Sequence, residues 1–118
     1  MAYTRESYQE LEVDFSLEAI WNAIPEAVAR LKWEIPEKDD ANHRLTIRTA
    51  EDFMFYGSSL KVEASKIDVK TTYIKIVAET PVTTITSLLD YGQAEERITE
   101  FVMMLAKIMN SPEKTVAP

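Results

Sequence analysis

The chain has 118 residues, no cysteine, and a net charge of −7 from 20 acidic and 13 basic side chains. That length suits one domain with one core, and the missing thiols rule out disulfides, thiolate metal sites and cysteine nucleophiles. No cluster of Lys and Arg is available to hold a phosphate backbone, so neither nucleic acid nor an anionic membrane is an expected partner.

The opening stretch, MAYTRESYQELEVDF, has no basic start followed by an apolar run. Apolar stretches such as residues 101–106 are far too short to span a bilayer, and a cytoplasmic location is therefore expected. Acidity is concentrated early: there are 12 acidic and 6 basic residues up to Ser59, then 8 and 7 after it.

From residue 8 to residue 15, Leu11, Val13 and Phe15 alternate with Glu10, Glu12 and Asp14, the period of a half-buried strand. Ser16 follows as an N-cap, with Glu18 in the first turn of a helix. Leu17, Ile20, Trp21, Ile24, Ala27, Val28 and Leu31 form its apolar stripe, and Pro25 inside it predicts a kink or short break. Trp33 and Ile35 give a short strand that Pro36 ends or pushes to an edge. The polar turn EKDDANH, with Asp40 or Asn42 expected in a left-handed conformation, leads to a returning strand through Leu45 and Ile47.

Residues 49–59 are ambiguous, because Phe53, Met54, Phe55 and Tyr56 stand together before Gly57. They fit a prolonged strand, a bulge or a crossing. Leu60, Val62 and Ala64 then alternate, and Ile67 and Val69 fall on the opposite parity, which predicts a turn between Lys66 and Lys70. Tyr73 to Glu79 is the last strand, closed by Pro81. After an irregular crossing that admits a helical turn within residues 82–89, Asp90 is an N-cap with Gln93 three residues on. Ala94, Ile98, Phe101, Val102, Leu105, Ile108 and Met109 make a second amphipathic stripe. Asn110, Ser111 and Pro112 stop it, and residues 110–118 are expected to fray. The reading is a single α+β domain over 1–118, an antiparallel sheet of about five strands packed against two helices in the order β-α-β-β-β-β-α.

The helix entry D-x-G-x-x-x-x-R-I-x-x-F, carried by Asp90, Gly92, Arg97, Ile98 and Phe101, resembles that of small bacterial domain-of-unknown-function families with the same element order, some of them lipoproteins. This chain lacks the lipobox cysteine of the lipoprotein members. The resemblance implies the fold and no activity.

Chemistry is sparsely signalled. His43 is the single histidine, so no His-His metal site or histidine dyad can form, and Asp39, Asp40 and His43 on one acidic turn read as a solvated hairpin rather than a metal site. Glu95, Glu96 and Glu100 fall on the wet side of the last helix, and Arg97 reads as a local ion-pair partner of Glu100 or Asp90. Two glycines, Gly57 and Gly92, cannot make a phosphate-cradling loop. No metal, cofactor or catalytic residue is assigned.

Phe53, Met54, Phe55 and Tyr56 are the candidate contact site, since a strand would leave half of them outside. Met104 falls on the Phe101 side of the last helix and Met103 away from it, where a soft side chain suits an adaptable interface. The leading expectation is a non-enzymatic interaction or oligomerisation module, a homo-oligomer or the binder of a protein partner. The alternative is a small apolar ligand held between the sheet and the C-terminal helix, with an enzyme of unknown type third.

Overall fold

The computed structural model describes residues 3–49, 59–82 and 93–110, and among them the elements follow the expected order. These are β1 (Tyr3–Val13), α1 (Leu17–Arg30), β2 (Glu34–Asp39), β3 (Arg44–Arg48), β4 (Ser59–Asp68), β5 (Thr71–Val82) and α2 (Gln93–Met109). All neighbours in the five-stranded sheet are antiparallel, in the order β1-β5-β4-β3-β2. Strands β2 to β5 are a meander. β1 returns to pair with β5, so the first strand closes the sheet beside the last.

Alternation sets which face is dry. Leu45 and Ile47, Leu60, Val62 and Ala64, and Ile74, Ile76 and Ala78 are buried against the helices. From α1 come Ile20, Trp21, Ile24, Ala27 and Val28; from α2, Ile98, Phe101, Leu105 and Ile108. On the other face, ion pairs such as Arg44–Glu63 at 2.8 Å and Lys61–Glu79 at 3.3 Å cross neighbouring strands in water.

Several local expectations need correction. β1 starts at Tyr3 and ends at Val13, so Phe15 lies in the bend before α1. The polar residues 3–7 show no useful alternation, but they pair in register with β5 from Tyr3↔Val82 to Ser7↔Ala78. α1 runs continuously through Pro25, capped by Ser16, whose hydroxyl accepts from the Ala19 N–H at 3.1 Å. The left-handed residue of the hairpin turn is His43, at φ 53°, rather than Asp40 or Asn42. The Asp39 carboxylate instead stabilises the turn by accepting from the backbone N–H groups of Ala41 and Asn42.

A second left-handed residue, Lys32 at φ 63°, ends α1. The Trp33 N–H reaches the Val28 carbonyl and the Lys32 N–H that of Ala29, both at 3.0 Å, which is a Schellman ending. β2 is an edge strand with a register shift between Glu34 and Glu37, and this is where Pro36 can be tolerated. In β4 the parity slip is a register irregularity between Lys66 and Asp68 within the strand, and the turn itself is confined to Val69 and Lys70. Pro81 lies within β5, beyond the first β4 pairing at Ser59↔Glu79, opposite Thr4. The segment Phe53–Tyr56, the crossing before α2 and the Asp90 cap lie outside the described residues.

Candidate functional site

A hollow of about 380 Å³ opens between the sheet and the C-terminal half of α2. Its floor is Leu11 and Val13 of β1 beside Ile74 and Ile76 of β5, where Leu11 pairs with Ile74 in register. Its roof is Val102, Leu105, Ala106 and Met109 of α2, and Ile20 and Phe15 close the α1 side. The walls are therefore almost wholly apolar, with room for about a dozen waters at the ~30 Å³ each occupies in the liquid. Leu11, Val13 and Phe15 are only partly buried against the core and Ala106 is exposed, so the hollow is partly open to solvent.

The bend between β1 and α1 is fixed from below. Thr72 is fully buried, and its hydroxyl donates to the Phe15 carbonyl at 2.7 Å. That bond ties β5 to the backbone of the rim and satisfies two polar groups in an otherwise dry place. Asp14 on the bend and Asn110 at the end of α2 are the two strongly polar side chains of the lining, and both are exposed, marking the mouth. The Asn110 amide nitrogen donates to the Ala106 carbonyl at 2.9 Å, which leaves the amide oxygen and a second N–H for other partners.

Other hollows are larger but differently made. One of about 590 Å³ lies between Leu31 and Trp33 on one side and Arg97, Glu100, Met103, Met104 and Lys107 on the other. Met103 is 67% exposed there and Met104 partly buried, as the helical spacing predicts. Another, about 530 Å³, lies along the start of α1, with Glu18, Trp21, Asn22, His43 and Lys66. A third, about 460 Å³, lies on the wet face of the sheet among Lys61, Glu63, Lys75 and Arg44. Charged side chains line each of them. The hollow under α2 instead draws apolar walls from β1, β5 and both helices, which is how binding pockets are generally built.

The polar residues singled out in the sequence are only partly brought together. Asp40 accepts from the Trp21 indole N–H at 2.8 Å, and the His43 ring stands edge-on to Trp21 with centroids 5.2 Å apart. The indole hydrogen bond is the main reason the Asp40 carboxyl is held below its ordinary value; the Asn42 side chain does the same for Asp39. Both aspartates are exposed. Arg97 pairs with Glu100 at 3.0 Å, while Glu95 and Glu96 are exposed. Among the described residues, no three His, Asp or Glu side chains gather as a metal would require. Asp14 and Asn110 carried no signal of a role: the first reads as the wet side of a strand, the second as a helix stop.

By sequence, no protein-family model and no curated protein matches the chain. By structure, it is similar to norcoclaurine synthase from Thalictrum flavum in complex with dopamine and hydroxybenzaldehyde, with a TM-score of 0.64 and 14% identity over 92% of this chain and 87% of that one. The Zhui aromatase/cyclase from Streptomyces sp. R1128 gives 0.60 and 10% identity over 92% and 98%. A START superfamily protein from Mycobacterium smegmatis gives 0.59 and 10% over 85% and 93%. At such identities the shared property is the fold, a START-like arrangement of an antiparallel sheet and two helices.

Proposed function

We propose that this chain binds a small, predominantly apolar molecule in the hollow between β1, β5 and α2. The observation that carries the reading is the hollow itself: about 380 Å³ walled by Leu, Val, Ile, Phe and Met side chains, at the interface of sheet and C-terminal helix. Apolar walls left against water forgo burial energy that a bound apolar molecule would recover, which favours an occupant. The similar norcoclaurine synthase is in complex with dopamine and hydroxybenzaldehyde, two small aromatic molecules, on the same fold. Binding without catalysis is the form proposed, because the described lining offers one carboxylate and one amide, both at the mouth.

The test is titration with N-phenyl-1-naphthylamine, a neutral apolar fluorophore that brightens out of water. Saturable one-to-one binding is expected, and Ala106→Phe, which fills the roof from an exposed position, should weaken it about tenfold or more without changing the fold. Absence of saturable binding to the wild type overturns the reading.

A protein contact is the second reading. It is favoured by exposed Met103 beside partly buried Met104 and Trp33 in the hollow between the helices, and we propose Phe53–Tyr56 as the companion contact segment. Light scattering that shows a monomer at high concentration would remove the homo-oligomeric form of it.

A further inference from the structure

We infer that the molecule held under α2 is an organic amine, an apolar body ending in an ammonium group that sits at the mouth beside Asp14. This deepens the binding proposal above and rests on it. The walls choose an apolar body but cannot rank headgroups; the mouth can. Asp14 brings a carboxylate, which accepts hydrogen bonds and donates none. Asn110 gives one amide N–H to the Ala106 carbonyl and keeps an acceptor oxygen and a second N–H, so the charged Asp14 is what ranks headgroups. The Phe15 carbonyl at the same rim is already taken by Thr72.

No basic side chain belongs to the described lining. Lys66 of β4, and Lys107 on α2 itself, line separate hollows. Glu12 and Glu18 flank the bend in sequence and are exposed, adding potential of the same sign within a chain of net charge −7. A mouth whose one charged group among the described residues is a carboxylate favours a donor that is also a cation. A carboxylate on the same apolar body would meet repulsion from Asp14.

The experiment compares three ligands with one eight-carbon body, octylamine, octan-1-ol and octanoate, as competitors of N-phenyl-1-naphthylamine at pH 7 and low salt. An exposed ion pair is worth up to about 1 kcal/mol, so octylammonium should bind about fivefold more tightly than the alcohol and octanoate about fivefold more weakly. The spread should shrink as salt is added. Asp14→Asn should bring the amine to the level of the alcohol while leaving the alcohol unchanged. Glu95→Gln, an exposed acid on the first turn of α2, removes the same net charge and should preserve the ranking. If the alcohol competes but the amine is no better, or if Asp14→Asn keeps the ranking, the headgroup inference is overturned and the apolar pocket stands. If none of the three displaces the fluorophore, the pocket reading falls and the inference with it.

Discussion

Thr72→Val removes one hydroxyl from beneath the rim of the proposed pocket and keeps the shape of the side chain. Thr72 is fully buried, and its bond to the Phe15 carbonyl is short at 2.7 Å. The substitution takes the Thr72 hydroxyl from that part-buried carbonyl, a loss of about 1–3 kcal/mol, of which the more apolar Val returns a part. The expected net destabilisation is about 1–2 kcal/mol, a fall in Tm of about 4 °C per kcal/mol for a domain of this size. Urea unfolding should show a lower midpoint with an unchanged slope. Thr72→Ser separates the two contributions, because it keeps the hydrogen bond and loses one buried methyl, about 0.8 kcal/mol. The freed rim should also weaken fluorophore binding in the Val variant but not in the Ser variant. If Val is as stable as wild type, or if Ser loosens binding as much as Val, the bond between β5 and the rim has no such role.

Lys32 holds a left-handed conformation at the end of α1 that glycine adopts without strain, so Lys32→Gly should raise stability by about 0.5–1 kcal/mol in urea unfolding. Asp40 has its carboxyl lowered from 3.8, first by the indole hydrogen bond and then by Lys38 against a desolvation that raises it. A depressed folded value means that its stabilisation is complete above the ordinary carboxylate pKa and is lost as pH falls through the lowered one. The acid limb of unfolding, followed by Trp fluorescence, should therefore flatten in Asp40→Asn. Phe101 is wholly buried and Met103 is 67% exposed on the same helix. Phe101→Ala should cost about 3–5 kcal/mol and Met103→Ala less than about 0.5, compared by thermal melts.

Side-chain period made most of this fold legible. Alternation at Leu60, Val62 and Ala64, and at Ile74 and Ile76, carries its own face assignment, and the three-and-four spacing of Ile98, Phe101, Leu105 and Ile108 marks the buried side of α2. Backbone-driven features were not legible. Tyr3–Ser7 pair because β5 offers them an edge, not because their side chains alternate. His43 takes a positive φ between an Asx-type turn and a strand although Asn42 has the better intrinsic preference. The pocket was legible only as an alternative, since Leu11, Val13, Val102 and Met109 look like ordinary core positions in one dimension. Whether such residues meet or stand apart is decided by how far α2 rides above β1, which depends on packing at distant positions.

The late return of β1 has a kinetic consequence. Strands β2 to β5 pair with their neighbours in the chain, so their pairings close over modest sequence separations. Val13 pairs with Thr72 across α1 and three intervening strands, and closing so long a separation carries a larger entropic barrier. The floor of the hollow under α2 is thus completed by the pairing of longest sequence separation in the sheet, and β1 is one of its two edge strands. An occupant touching Leu11 and Val13 would lengthen the residence of that strand on the sheet, coupling ligand capture to the closing of the sheet.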